Sequence, residues 1–303
     1  MLAGSEVTLR HIVSQETDIR RKGVRDRCKQ HPRVLTCCPL CGRLICVTAL
    51  MVLCCRAGED MDKKELRSQV KQRLHEWRAS CWIPVVTEGA GAATSSKFAG
   101  IPALKKGEDW PRCGQCKDPM PLFVQLNLEE IPASSKQSKD TRGIIQLFFC
   151  TKNDCDTSCD AKKPAFLARL IKATELGDLA TALKKPVTTL CPEKVIVGWR
   201  QREDYPPFEA DVELSDEELN VIWSEYDKEN GFPRPGDKLL GWPNWVQGEN
   251  YPSCPVCGED MFCNIFQVDS QDNLPFAFGD MGNGHIFLCP KHPDQVTFTW
   301  ASY

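Results

Sequence analysis

Residues 100–120 read GIPALKKGEDWPRCGQCKDPM, and residues 241–261 read GWPNWVQGENYPSCPVCGEDM. The two stretches align without a gap at an offset of 141. Eight of 21 positions are identical: Gly100/Gly241, Pro102/Pro243, Gly107/Gly248, Glu108/Glu249, Pro111/Pro252, Cys113/Cys254, Cys116/Cys257 and Met120/Met261. Chance gives about one or two identities over such a length, so the match reads as an internal duplication. The likeness continues downstream. Each Cys-x2-Cys leads into an apolar run ending in glutamine, Leu122 to Gln125 and Ile265 to Gln267. Each half then has a second strand-like run ending in cysteine, Gly143 to Cys150 and Gly284 to Cys289. The first is followed by Cys155 and the second by His292.

This spacing suits a metal. A Cys-x2-Cys turn aims two thiolates at one ion, and two more ligands at the end of a neighbouring strand complete a tetrahedron. Pairing within each half predicts one site at Cys113, Cys116, Cys150 and Cys155, and a second at Cys254, Cys257, Cys289 and His292. Soft sulfur ligands with one histidine favour Zn2+ over an iron–sulfur cluster. Four protein ligands leave no open coordination position, so both sites are expected to be structural. Alternatives stay open. Cys159 could replace Cys155, Cys263 lies near the second site, and a cross-half site could use Cys113, Cys116, Cys254 and Cys257. Buried reduced cysteines on strands would explain the same residues without metal.

Outward from the repeat, the chain has 303 residues, a net charge of −3 and 18 cysteines. That length and composition exclude a wholly disordered or fibrous protein. Residues 1–60 carry ten basic and six acidic residues with seven cysteines, and the other 243 carry 28 basic and 35 acidic residues. The head is thus +4 and the body −7. The head reads as a poorly ordered, basic, Cys-rich extension. Cys38-x2-Cys41 resembles a knuckle, but no second pair follows it with similar flanks. The longest apolar run, Leu44 to Cys55, is too short to cross a bilayer. No secretory signal is recognised, so the cysteines read as reduced thiols or ligands, and a cytoplasmic, or also nuclear, location is expected.

Residues 61–96 read as an amphipathic helix followed by a linker. Leu66, Val70, Leu74 and Trp77 form the helical stripe, and Gly89 to Ser96 is rich in small residues. The repeat halves span about 97–160 and 238–303. The segment 161–237 between them reads as a helical and acidic insert. In it, residues 164–184 suggest one or two short helices broken at Gly177, Val195 to Trp199 a compact strand, and Ser215-Asp-Glu-Glu218 a helix-opening capping box. Ser134 to Thr141 reads as a loop, and Gln295 to Trp300 as a terminal strand.

No Gly-x-Ser-x-Gly, His-Glu-x2-His or phosphate-cradling glycine loop is present. Asp269, Asp280 and His285 are the nearest thing to a catalytic set. His285 alternates with core positions and reads as a hydrogen-bonded structural residue, and Asp280 as a turn residue bonding its own backbone.

The combination of Gly100-Ile-Pro102, Trp110-Pro111, Pro121 to Asn127, Gly143 to Phe149, Gly198-Trp199, Asp204-Tyr-Pro206, Leu240 to Pro243, Gln247 and Gly279 to Phe287 resembles the YwqG-like family, a domain of unknown function. The resemblance covers about Lys97 to Tyr303 and implies a β-rich α+β fold of two similar halves, residues 97–303. Many members of that family lack these cysteines, so the metal ligands are not inherited from it. They look instead like programmed cell death protein 2 and its relatives, which pair a Gly-x-Pro opening with a Cys-x2-Cys knuckle and a strand ending in cysteine. That group is associated with chaperoning of a ribosomal protein and with ribosome assembly. Here its pattern fits only Gly100 to Cys155, and its MYND-type finger is missing.

These readings converge on an α+β protein of two β-rich halves, each with a zinc-ribbon-like knuckle. The expected function is a zinc-stabilised intracellular protein-binding module, a scaffold or chaperone, whose partner is a basic protein; a membrane association is not expected. An enzyme with a site in the cleft between the halves is the first alternative. Nucleic-acid binding through the knuckles is the second, disfavoured by the acidic body.

Overall fold

Leu66, Val70 and Leu74 recur every four residues and share one face of a helix, α1 (Lys63–Trp77), where all three are buried. They pack on Tyr205 and Ile222. The computed structural model describes residues 63–132, 143–158, 163–177, 190–207, 214–226, 232–292 and 294–303. The head with its Cys38-x2-Cys41, the loop from Ser134 to Thr141 and Cys159 lie outside the described residues.

Ten strands follow in chain order, interrupted by one short second helix. They are β1 (Ala79–Glu88), β2 (Lys97–Phe98), β3 (Leu122–Asn127), β4 (Gly143–Phe149), β5 (Phe166–Lys172), β6 (Lys194–Asp204), α2 (Asp216–Val221), β7 (Lys238–Leu239), β8 (Cys263–Asp269), β9 (Asn283–Leu288) and β10 (Val296–Ala301). All neighbours are antiparallel, in the order β10-β9-β8-β7-β1-β6-β2-β3-β4-β5. The long β1–β6 ribbon forms the middle, with a run of four strands on either side. The sheet curls into a nearly closed barrel. Its two outer strands approach each other, with the rings of Phe166 (β5) and Phe298 (β10) 5.4 Å apart. The core is shared by both runs: Phe123 packs 4.8 Å from Phe276, and Phe149 packs 5.5 Å from Phe276 and from Phe278.

Three sequence expectations change here. Residues 164–184 were expected to be helical, but Phe166–Lys172 is strand β5, paired along its length with β4. The spacing of Phe166, Leu167, Leu170 and Ile171 suits a helix, and the fully buried neighbour β4 offers a ladder that overrides it. Residues 178–189 of that stretch lie outside the described residues. Among the described residues, the insert 161–237, expected to be helical and acidic, supplies two strands, β5 and the eleven-residue β6. After α1 the chain does not pass straight into a linker, because Ala79–Glu88 forms β1 in the middle of the sheet. The capping box did form: Glu218 N donates to Ser215 Oγ, and Ser215 N donates to Glu218 Oε2.

Two ion pairs, one fully buried and one partly so, tie the side runs to the central ribbon. Lys238 Nζ donates to Asp204 Oδ2 at 2.8 Å, with both side chains fully buried. Lys97 Nζ lies 3.3 Å from Glu193 Oε1. Lys97 and Lys238 are again 141 residues apart, as are Gly100 and Gly241, both in the left-handed region with φ +75° and +80°. A Cβ at Gly241 would lie 2.5 Å from Asp204 Oδ2, and one at Gly100 would collide with Glu193 Oε2. Each glycine thus serves both the backbone turn and the carboxylate above it. The glutamines match as well. Gln125 Oε1 accepts from Ala103 N, and Gln267 Oε1 accepts from Asn244 N.

Candidate metal centres

Each knuckle is a tight hairpin held by the same backbone bonds. Cys113 N donates to Asp118 O, Lys117 N to Cys113 O, and Met120 N to Pro111 O. In the second knuckle, Cys254 N donates to Glu259 O, Gly258 N to Cys254 O, and Met261 N to Pro252 O. Lys117 and Gly258 both take positive φ, 65° and 71°, which lets the chain reverse after the second cysteine. In this way four consecutive residues present two sulfurs on one side.

The structure brings together Cys113, Cys116, Cys150 and Cys155, and separately Cys254, Cys257, Cys289 and His292. Within each group one donor atom per residue lies within 4.8 Å of the others. The close pairs are Cys113–Cys155 and Cys116–Cys150 in the first group, both with sulfurs 3.8 Å apart. In the second, Cys257 and Cys289 sulfurs are 3.8 Å apart. His292 Nδ1 lies 3.7 Å from Cys254 Sγ and 3.6 Å from Cys289 Sγ. A tetrahedron with metal–sulfur bonds of about 2.3 Å has sulfur–sulfur edges of about 3.8 Å, and a nitrogen at about 2.0 Å gives mixed edges of about 3.6 Å. The close pairs match edges of such a tetrahedron, so each group could hold a metal ion. The sulfur–sulfur spacing is far beyond the roughly 2.0 Å of a disulfide.

Backbone amides point at the sulfurs. Gln115 N donates to Cys113 Sγ, Val256 N to Cys254 Sγ and His292 N to Cys289 Sγ, each at 3.4 Å. Such bonds stabilise thiolate charge. Burial raises the Cys254 thiol, but N–H groups of Cys257 and Val256 and hydrogen bonds from neighbouring thiols outweigh it and bring the group down to about 6. Cys113 is lowered in the same way. At Cys289 burial wins and pushes the thiol up to about 11, and Cys150 and Cys155 are also raised, burial again first. Within each group, backbone N–H donors and burial thus pull on different cysteines in opposite directions.

The remaining sequence candidates have other places. Cys263 is fully buried in β8 opposite Leu288, in the core outside the second tetrad. Cys113 and Cys116 group with Cys150 and Cys155, not with Cys254 and Cys257. His285 is buried, with Nε2 3.1 Å from Asn283 Oδ1 and its ring 4.7 Å from Trp245. Asp269 accepts from Gly236 N and Ser270 N. Asp280 lies exposed in the turn before β9. The space between the halves is filled by the phenylalanine cluster of the core. Sequence reading missed Glu193, Asp204 and the buried lysines. The signal was at hand for the lysines, since extending the 141-residue alignment three positions upstream sets Lys97 opposite Lys238.

No helix among the described residues is long and apolar enough to cross a membrane. No curated protein matches the chain. A family model, a domain of unknown function named DUF1963, matches residues 96–303. β1 lies before that match and still occupies the centre of the sheet. The match spans more than half of the chain, which therefore belongs to the DUF1963 family.

Proposed function

We propose that this chain is a protein-binding module whose two duplicated halves are each stabilised by one structural Zn2+. The observation that carries the reading is the pair of four-residue groups whose close pairs have tetrahedral edge lengths, sets that would leave no position for a substrate. A closed site contributes folding energy and shapes a surface, and leaves nothing to activate water. None of the ten described cysteines is in a disulfide, the arrangement an intracellular setting would favour.

The partner is a basic protein segment. The body carries −7 over residues 61–303, which favours encounter with a cation-rich chain. Val197 supplies an apolar contact on the same molecule: it is the extra residue of the bulge opposite Val85 and Val86 and is 61% exposed. A scaffold or chaperone role follows the resemblance of the first knuckle to programmed cell death protein 2 and its relatives. The test is affinity capture with the full chain at low and high salt, alongside Val197→Asp and charge reversal of the acidic surface. Binding that weakens with salt and with both substitutions supports the reading. Binding indifferent to all three removes the basic partner.

A further inference from the structure

The two tetrads sit differently with respect to the seam of the barrel. β5 and β10 are the two ends of the strand order, so no ladder joins them. The seam is closed by side chains: Phe166 on Phe298 at 5.4 Å, Phe149 on Phe298 at 6.0 Å and Phe149 on Trp300 at 6.4 Å. A polar tie crosses it. Trp300 Nε1 of β10 donates to Thr157 O at 2.7 Å. Thr157 lies two residues after Cys155, on the loop that leaves the first tetrad. Gln115, inside the first knuckle, bonds both ways with that loop: its Nε2 donates to Asp156 O, and Asp156 N donates to its Oε1. The same knuckle holds the start of β5, since Gly114 N donates to Pro164 O and Cys150 N to Ala165 O. The first tetrad therefore grips one edge strand directly and the other through Thr157. The second tetrad's ties stay in its own half, with Cys289 N donating to Gln295 O and Gln295 N to His292 O.

We propose that metal at Cys113, Cys116, Cys150 and Cys155 is the clasp of the barrel seam. Bound metal fixes Cys155 and with it the 155–158 loop, and the loop holds Trp300 of the opposite edge. Loss of this metal frees the loop and parts β10 from β5. Loss of metal from the second tetrad leaves the seam shut. Parting would expose two strand edges and the rings of Phe166, Phe298 and Trp300, a surface able to pair with an extended chain. The inference rests on the metal reading above and adds a metal-controlled opening to it.

The test combines metal content with hydrogen exchange on the full chain under reducing conditions. Wild type, Cys155→Ser, Cys257→Ser and Trp300→Phe are compared. The expected results are two zinc ions per wild-type chain and one in each cysteine variant. In Cys155→Ser, amides of Thr297–Ala301 exchange about tenfold faster, although β10 belongs to the half whose metal is kept. Cys257→Ser leaves β5 at the wild-type rate. Trp300→Phe keeps both ions and speeds exchange in residues 155–158, which carries the test if Cys155→Ser does not fold. Metal loss in Cys155→Ser with unchanged exchange in β10 overturns the clasp and spares the metal reading. Wild type without metal overturns both.

Discussion

Replacing Lys238 with methionine removes the counter-charge of a carboxylate that has no access to water. Asp204 Oδ1 accepts from Tyr205 N at 3.1 Å and Arg234 N at 2.8 Å, and Oδ2 accepts from Trp242 N at 2.9 Å and Lys238 Nζ at 2.8 Å. Methionine fills the lysine stem but leaves a buried anion held by three amides. Breaking one partner from a buried pair costs about 3–5 kcal/mol. Each kcal/mol moves the midpoint by roughly 2–4 °C in a domain of this size, so the melting temperature should fall by roughly 6–20 °C. Lys97→Met is the internal control. Its partner Glu193 is 12% exposed and stands 3.3 Å away, so water screens part of the loss and the cost is about 1–3 kcal/mol. The assay is urea unfolding of both variants, followed by tryptophan fluorescence. A loss below about 1 kcal/mol at Lys238, or a larger loss at Lys97 than at Lys238, would refute the assignment of Asp204 as a dry anchor of the second half.

Gly241→Ala should cost about 1–3 kcal/mol in the same assay, from the positive φ and from a Cβ placed 2.8 Å from Cys81 Cβ and 2.5 Å from Asp204 Oδ2; an unchanged midpoint would show that the turn relaxes freely. Cys257→Ser should remove one metal ion per chain and several kcal/mol of stability (roughly a quarter or more of a zinc site's binding energy), read by elemental analysis and thermal melts. Burial, with help from Asp272, raises Asp237 to about 7. A folded value above the unfolded one means the folded state holds the proton more tightly, so stability is greatest below pH 4 for this group and is lost as pH rises through about 7. Melts between pH 5 and 8 should show that fall, and Asp237→Asn should flatten it; an equal slope in the variant would assign the dependence elsewhere. Val197→Asp should leave the melting temperature within about 1 °C while reducing partner capture, because the side chain it replaces touches mostly water.

The two groups that could hold a metal were legible because their spacing is local. A Cys-x2-Cys turn carries its geometry within four residues, and the 141-residue offset between the two matching stretches points to the strand end downstream of each. The helix α1 and its stripe were legible for the same reason, since a period of 3.6 is written in the residues themselves. What sequence did not reveal lies where partners are distant. Phe166 to Lys172 carries helical spacing and is a strand because β4 lies beside it. Ala79–Glu88 was passed over as part of a helix-and-linker segment, with Pro84 inside it, yet it pairs with a strand more than a hundred residues away. Its pairing with β7 is confined to Trp82 and Leu239, so most of the strand has one neighbour.

Asp204 and Glu193 show the same division. In the sequence Asp204 falls in an acidic stretch and Glu193 stands between Pro192 and Lys194, and neither declares a buried partner. In the fold they are the carboxylates that receive Lys238 and Lys97. A charge declares its type in one letter, but whether it faces water or a buried lysine depends on the packing of strands far apart in the chain. Residue order alone carries the two knuckles, the eight residues that gather around them and the β-rich class. That both runs share one aromatic core, that β1 and β6 join them, and that the loop after Cys155 reaches Trp300 came from the folded chain. Those facts depend on long-range contacts, whose energy comes from burying surfaces together and leaves no period in the sequence.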